Sequence, residues 1–198
     1  MSRLVVAITG ATGSIYGIRL LEVLRGYAEM ETHLVISRPG KRTLVEETDW
    51  SVAEVEALAT QRHENNDIGA SIASGSFRTA GMVIAPCSIK TAAAIAACHA
   101  ENLIARAADV TLKEGRPLIV LVRETPLHVG HLKCMLALAE MGAVVLPPMP
   151  AFYNRPRDLD DIVNHTIARV LDRLGLPQTL VPEWRGTHPR IPAGPLGA

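Results

Sequence analysis

Short apolar runs alternate with longer helical patterns along most of this chain, and this alternation constrains the fold more than any other feature. Predicted strands, rich in Val, Ile and Leu, cover residues 3–9, 32–37, 81–85, 117–122 and 143–146. Apolar positions at helical spacing predict helices over residues 15–27, 41–47, 91–100, 102–113, 127–141 and 158–174. Ser51 and Glu54 form a capping box, which predicts the start of a further helix. Strands that alternate with helices predict a three-layer α/β fold, with a doubly wound parallel sheet between helices.

The chain shows neither an internal repeat nor a linker, so we expect a single domain over residues 1–175. Gly175 follows the last helical pattern and is predicted to be its C-cap. Residues 62–77 are polar or small and lack periodicity, which predicts a long loop. Residues 176–198 are rich in proline and are predicted to be a tail, either disordered or packed on a neighbouring subunit.

Composition excludes several classes of partner. Lys plus Arg number 20 and Asp plus Glu number 20, so no net charge favours nucleic acid or an anionic membrane. No apolar run reaches the roughly 18 residues of a membrane span, and the first apolar run is too short for a signal peptide. The three cysteines form no CxxC pair, which favours a reducing compartment, so we expect a cytoplasmic protein.

The turn after the first predicted strand has the features of a phosphate site. Gly10, Gly13 and Gly17 lie between a strand and a helix, where a helix N-terminus offers free N–H groups to an anion. The hydroxyls of Thr12 and Ser14 would add donors. The second strand ends in Ser37-Arg38, without the carboxylate that holds the ribose of a dinucleotide, so we expect a mononucleotide.

Two later strand ends also carry polar groups, at the edge of the sheet where ligands bind in such folds. Residues 85–91 combine hydroxyls with the start of a helix and predict a second anion or ring-edge site, although Ser88 as a simple N-cap would explain its own presence. Arg123 and Glu124 follow the most apolar strand, where active-site residues lie. A surface ion pair is the alternative interpretation of those two residues.

Three further patterns are more simply explained by structure than by chemistry. Cys87 has no nearby base in sequence, which disfavours a nucleophile. The acids at 158–161 resemble a magnesium-diphosphate motif, but acids at a helix start also satisfy the helix dipole. His128, His131 and Cys134 have helical spacing for zinc but no further ligand placed to complete the set. We therefore expect no metal site.

These segments together resemble the UbiX-type flavin prenyltransferases, a family that includes small subunits of aromatic (hydroxyarylic) acid decarboxylase systems. The similarity spans residues 3 to about 184, and it is carried by GATGSIYG, ETD at 47–49, ASGSF at 73–77, PCSIKT, RAADVTLKEGRPL, VRETPLHVGHL and PPMPAFYNRP. The resemblance implies a flavodoxin-like, Rossmann-like fold and a homododecamer with active sites at subunit junctions. It implies metal-independent transfer of a dimethylallyl group from dimethylallyl phosphate to N5 and then C6 of reduced FMN. The product, prenylated FMN, would serve a UbiD-type decarboxylase, in ubiquinone synthesis or in phenolic acid breakdown.

The resemblance also implies roles for individual residues. The FMN site would contain Gly10, Ala11, Thr12, Ser37, Ser88, Ile89, Lys90, Thr91 and Arg123. Catalytic roles would fall to Thr12, Glu47, Lys113 and Glu124, with the two acids relaying protons. The prenyl phosphate would meet Ser74, Ser76, Arg106, Lys113, Tyr153, Arg169 and Trp184, some of them from a neighbouring subunit. Thr12 departs from the Ser of many members but keeps the hydroxyl.

Two other functions stay open at this point. The first is an FMN-dependent oxidative decarboxylase of cysteine-ended peptides or of pantothenoyl-cysteine. Such relatives use an early His base, whereas His33 and His63 here fall in a predicted strand and a polar loop. The second is a flavin carrier without prenyl transfer. A carrier needs neither the acids nor the prenyl-phosphate residues that this chain retains.

Overall fold

A computed structural model describes residues 2–183 and residue 186 of the chain. Within these residues, six parallel strands form one sheet in the order β3-β2-β1-β4-β5-β6. The strands are β1 Ser2–Ile8, β2 Met30–Ile36, β3 Gln61–His63, β4 Gly81–Cys87, β5 Leu118–Val122 and β6 Val144–Val145. The helices are α1 Ser14–Leu24, α2 Arg38–Glu47, α3 Val52–Glu56, α4 Ile89–Ala96, α5 Leu103–Lys113, α6 Val129–Glu140 and α7 Leu159–Arg173. The predicted doubly wound α/β fold is confirmed.

The central strands are apolar on both faces, and each face supports its own hydrophobic core. Alternate residues of β1 and β4 point to opposite sides of the sheet. One side packs against α1 and α7, with Leu44 of α2 and Val55 of α3. The other packs against α4, α5 and α6. Burial on both faces explains why these strands appear in the sequence as continuous apolar runs rather than alternating ones.

The glycines of the first turn each satisfy a different steric demand. Gly13 has a φ of +98°, a backbone conformation that residues other than glycine rarely adopt. A Cβ on Gly17 would lie 2.3 Å from the carbonyl oxygen of Ala85, so a glycine there lets α1 pack directly on β4. A Cβ on Gly10 would lie 2.4 Å from the Cβ of Pro39, so the first turn of α2 covers this glycine.

Most predicted elements exist, with bounds that shift by at most four residues. The capping box is present, with the Ser51 side chain accepting from Glu54 N–H and Glu54 accepting from Ser51 N–H. Gly175 has a φ of +68° just after α7, as expected of a C-cap.

The predicted long loop over residues 62–77 is wrong in two places. Its start lies in β3, and residues 71–73 form a short 3-10 helix. The strand lacked an apolar signal because it lies at the sheet edge, paired only with β2. Two reciprocal hydrogen bonds fix the start of this strand against β2. The Thr32 N–H donates to the Thr60 hydroxyl at 3.1 Å, and the Thr60 N–H donates to the Thr32 hydroxyl at 3.0 Å.

Residues just beyond the predicted domain boundary lie on the chain's own core. Leu176 and Leu180 pack against the α1 and α7 side. The Tyr27 hydroxyl donates to the carbonyl of Pro177. The boundary at residue 175 stays a prediction. Among the described residues, no helix is long and apolar enough to cross a membrane.

Candidate active site

A cavity of about 650 Å³ lies at the carboxyl ends of the strands. It opens where the strand order reverses, between β1 and β4, which is the usual ligand position in doubly wound sheets. Its walls come from the turns after β1, β2, β4 and β5 and from the first turn of α5. The lining residues are Gly10, Ala11, Thr12, Ser37, Pro39, Asn65, Ser88, Ile89, Lys90, Thr91, Ala94, His99, Glu101, Asn102, Ile104, Ala105, Arg123 and Glu124.

Every residue predicted to hold FMN lines this cavity. Ser88 also caps α4 by accepting from the Thr91 N–H at 3.3 Å, so its two interpretations are compatible. Thr9 joins the two central turns, because its hydroxyl donates to the Pro86 carbonyl at 2.8 Å and accepts from Ser88 N–H at 2.7 Å. The ends of β1 and β4 are thereby fixed relative to each other, which gives the cavity floor a defined shape.

The cavity lining contains two cations beside the carboxylates of Glu101 and Glu124. Lys90 and Arg123 line it, and neither forms an ion pair among the described residues. The alternative of an Arg123–Glu124 surface pair therefore does not hold within the described part of the chain. Glu124 is half-buried, and its Oε1 accepts from Thr125 N–H at 3.0 Å. Two unpaired cations at strand ends are a suitable environment for a phosphate.

The N-terminus of α1 is already occupied by a carboxylate. Glu47, at the end of α2, accepts from Gly13 N–H at 2.9 Å and from Ser14 N–H at 3.2 Å through Oε2. Ser14 is fully buried and its hydroxyl has no hydrogen-bond partner. The expectation that this helix offers free N–H groups and the Ser14 hydroxyl to a phosphate is therefore wrong. The tertiary contact with Glu47, 34 residues from Gly13 in sequence, takes the two N–H groups, and the Ser14 hydroxyl is buried away from the cavity.

A first group of predicted prenyl-phosphate residues lies on the α5 side, outside the cavity. The hydroxyls of Ser74 and Ser76 are 2.9 Å apart, and Arg106 donates to the Ala73 carbonyl at 3.3 Å. Lys113 pairs with Glu114 beside this turn, since a Cβ on Gly75 would lie 2.8 Å from the Lys113 Nζ. Lys113 ends α5, about 12 Å along the axis from Ala105 at the cavity wall. Its amine therefore lies away from the cavity of its own chain.

A second group lies beside β6 and α7. The Tyr153 hydroxyl is 3.3 Å from His165 Nε2, and Arg169 donates to Asp172 at 2.8 Å. Arg169 and His165 line a separate cavity of about 240 Å³. Burial, with Arg169 nearby, lowers the pKa of His165. Trp184 lies outside the described residues. One chain therefore does not bring the two groups together.

Several cavity residues were missed by the sequence analysis. Asn65 lies in the segment predicted as loop, yet its carbonyl accepts from Leu103 N–H at 2.8 Å and its Oδ1 from Ile104 N–H at 3.1 Å. Asn102 caps the same helix by accepting from Ala105 N–H. An asparagine before a helical pattern signals a cap, which makes Asn102 recoverable from sequence. Asn65 is not recoverable, because its contact is tertiary.

Cys87, Asp158 and His128, which the sequence analysis explained by structure rather than by chemistry, have structural roles. Cys87 is completely buried, and burial raises the pKa of its thiol to about 12, so it is not a nucleophile. Asp158 caps α7 by accepting from Asp161 N–H at 2.9 Å. His128 caps α6 by accepting from Gly130 N–H at 3.0 Å. No group of His, Cys, Asp or Glu suited to a metal ion occurs in the described part of the chain.

The early histidines lie away from the cavity. His33 is 1% exposed, and its Nδ1 is 2.9 Å from His63 Nε2. The two rings stack with centroids 5.2 Å apart. His33 therefore does not reach a ligand in the cavity, as a base for cysteine decarboxylation must.

Comparison with known proteins shows the family of this chain. A family model described as Flavoprotein matches residues 1–171. The flavin prenyltransferase UbiX of Escherichia coli K12 is 56% identical over 188 residues, 94% of this chain and 100% of that protein.

Solved structures agree as well. A dodecameric FMN-dependent UbiX-like decarboxylase from Escherichia coli O157:H7 superposes with a TM-score of 0.91 at 52% identity, covering 93% of this chain and 100% of that one. AnUbiX (PadA1), solved with FMN and dimethylallyl pyrophosphate, gives 0.92 at 44% identity, covering 94% and 99%. The peptidyl-cysteine decarboxylase EpiD is 16% identical at a TM-score of 0.61, which is a likeness of fold alone. The chain belongs to the flavoprotein family and, within it, to the UbiX-type flavin prenyltransferases, as its motifs predicted.

Proposed function

We propose that this chain transfers a dimethylallyl group from dimethylallyl phosphate to reduced FMN, forming bonds at N5 and C6. The cavity at the switch point carries the proposal. It joins residues from four strand ends and contains the predicted FMN residues, and its two cations have no ion-pair partner among the described residues. Its volume of about 650 Å³ falls within the range of ligand sites, roughly 300–1,000 Å³.

Arg123 and Lys90 would bind the flavin phosphate or the leaving phosphate in this proposal. Departure of an allylic phosphate increases negative charge on its oxygens, so fixed cations stabilise the transition state more than the ground state. Thr12 and Glu124 line the same cavity and are assigned to proton transfer. Glu47 accepts a hydrogen bond from the N–H of Gly13, the residue after Thr12, and would join the proton relay through Thr12. An apolar wall, including Ile89, Ile104 and Ala105, would keep water away from the electrophilic carbon.

Subunit assembly is the second part of the proposal. Ser74, Ser76, Arg106 and Lys113 form one group and Tyr153 with Arg169 another, and neither lines the cavity of its own chain. In a homododecamer these groups would meet the flavin cavity of a neighbouring chain. A face of α6 supports association, because Val129, Leu132 and Leu136 expose 66%, 52% and 59% of their surface at helical spacing. Trp184 is assigned to the same prenyl pocket.

Within this proposal, the product serves a UbiD-type decarboxylase in the cytoplasm. Cys87, Cys98 and Cys134 are free thiols, which suits a reducing compartment. A flavin carrier is the competing function from another class. It would bind FMN in the same cavity but would have no use for hydroxyl and cationic groups positioned for a second phosphate.

The proposal is tested by delivering the reaction product to a client. The chain is incubated anaerobically with reduced FMN and either dimethylallyl phosphate or the diphosphate, and the extracted flavin is added to a UbiD-type apo-decarboxylase. We expect activity with the phosphate donor and none when the donor is omitted. No decarboxylase activity with either donor, from a chain that binds FMN, would support the carrier instead.

A further inference from the structure

The sheet has the strand order of dinucleotide-binding domains, yet its first turn is closed to a dinucleotide. In such domains the pyrophosphate lies on the glycine turn after β1, at the N-terminus of the following helix. Here both parts of that position are filled by the first and last turns of α2. We propose that Glu47 and Pro39 act together as a specificity filter, which admits a mononucleotide flavin and rejects pyrophosphate-bearing nucleotides such as FAD. This inference rests on the proposed function of the cavity as an FMN site.

Glu47 provides the electrostatic part of the filter. Its Oε2 accepts from Gly13 N–H at 2.9 Å and from Ser14 N–H at 3.2 Å, the donors that a pyrophosphate would need. A second anion at this position would meet the Glu47 carboxylate at close range and without free N–H groups. Like charges in contact disfavour binding, whereas the mononucleotide keeps its single phosphate elsewhere in the cavity.

Pro39 provides the steric part. A Cβ on Gly10 would lie 2.4 Å from the Cβ of Pro39, so the space above this glycine is filled by protein. In dinucleotide domains a glycine at this turn allows the pyrophosphate to approach the backbone. Gly40 keeps the same helix start close to β1, since a Cβ there would lie 2.7 Å from the Ile8 carbonyl oxygen. Gly10 is therefore required for a contact within the chain as well as lining the cavity.

The two cations of the cavity lie on its other side. Arg123 and Lys90 lack ion-pair partners among the described residues. Arg123 follows β5 and Lys90 lies in the first turn of α4, so neither belongs to the α1 turn. A single phosphate bound there is compatible with Glu47 in place. A pyrophosphate that extends toward β2 is not, because it must pass the Gly10–Pro39 contact.

Equilibrium binding of oxidised FMN and FAD, followed by flavin fluorescence, tests the filter without turnover. The variants are Glu47→Gln, which removes the charge, and Pro39→Gly, which removes the Cβ over Gly10. Glu46→Gln is the control, because Glu46 lies on the same helix but pairs only with the exposed Arg42 at 2.8 Å. We expect the preference for FMN over FAD to fall at least tenfold in each test variant and to stay unchanged in the control.

A general loss of structure would weaken both flavins together and would leave their ratio unchanged. An unchanged ratio in Glu47→Gln and Pro39→Gly, with FMN still bound, overturns the inference. If Glu47→Gln does not fold, Pro39→Gly alone decides, since Pro39 takes no part in the α1 cap. Failure of the unmodified chain to bind FMN would instead contradict the proposed function, so the two failures are distinguishable.

Discussion

At the scale of single residues, the account depends on a few side chains whose partners are known. Arg123 and Lys90 lie in the cavity without an ion-pair partner in the described residues, whereas Arg106 and Arg169 are paired with Asp109 and Asp172. An unpaired cation in a ligand cavity has more to gain from an anion than one already neutralised. Binding of the flavin phosphate or of the leaving phosphate should therefore depend most on Arg123 and Lys90.

Replacing Arg123 with Ala should weaken FMN binding by about 10- to 100-fold. The loss reflects a charge-assisted hydrogen bond worth about 1.5–3 kcal/mol. Flavin fluorescence titration measures the affinity, and the difference from the unmodified chain should shrink at high salt. Arg25→Ala is the control, since Arg25 is exposed at the opposite end of α1. Equal FMN affinity in Arg123→Ala and the control would contradict a phosphate-binding role.

Thr12 tests catalysis separately from binding. Thr12→Ala should leave FMN bound but slow prenylation by on the order of 100-fold, as expected when a positioned donor to the reacting groups is removed. Thr12→Ser keeps the hydroxyl and should retain most of the rate. Single-turnover kinetics with bound flavin provides the measurement. An unchanged rate in Thr12→Ala would rule out a catalytic hydroxyl.

At the scale of elements, the site follows from strands whose ends meet at one edge. The first turn, residues 85–91 and Arg123 were predicted as site segments because each follows an apolar run, and parallel strands bring such positions together. Ser37 was assigned to the flavin through the family resemblance. The edge strand β3 was missed because it is short and polar. The Glu47 cap and the Asn65 cap were missed because both join segments far apart in sequence. Local patterns predict elements and their ends, but not tertiary hydrogen bonds.

The β2–β3 edge contains a titratable pair that should make stability depend on pH. His33 and His63 are 2.9 Å apart, and burial lowers the pKa of both, with Glu31 and Asp67 opposing that effect. Arg3 and Phe77 also contact this cluster, Arg3 through Glu31 at 3.0 Å and over the Phe77 ring. Because the folded state favours neutral rings, the unfolded chain binds more protons below its ordinary histidine pKa of about 6.5.

The free energy of unfolding should therefore fall as the pH is lowered from about 7 through 6.5 toward the folded pKa values. Urea denaturation at a series of pH values measures this slope. The double variant His33→Phe/His63→Phe keeps two stacked rings without the titration and should flatten the slope. An equal slope in the double variant would place the pH dependence elsewhere in the chain.

At the scale of the whole molecule, a single chain does not bring the residues assigned to the prenyl phosphate to the cavity proposed for the flavin. Lys113 lies about 12 Å along α5 from the cavity wall, and Tyr153 with Arg169 lies beside β6. No amount of local sequence reasoning shows this division, because motifs identify residue types and not the chain that supplies them. The exposed apolar face of α6 is a surface on which neighbours can pack.

Shared sites predict that two defective chains complement each other. Co-expressed Arg123→Ala and Lys113→Ala chains should regain activity that neither has alone, because some junctions pair an intact Arg123 with an intact Lys113. A mixture of Arg123→Ala and Lys90→Ala is the control, since both changes damage the cavity of their own chain. The control mixture should stay inactive. Equal activity of the two mixtures would contradict a site shared between subunits.

Prenyl transfer itself is the central claim, and mass spectrometry of the flavin tests it most directly. The purified chain is incubated anaerobically with reduced FMN and dimethylallyl phosphate. The flavin is then extracted, and its mass is measured. The account predicts FMN carrying one added five-carbon group, absent when the donor is omitted. FMN that is bound tightly but recovered unmodified, in protein that is folded, would contradict prenyl transfer and favour the carrier.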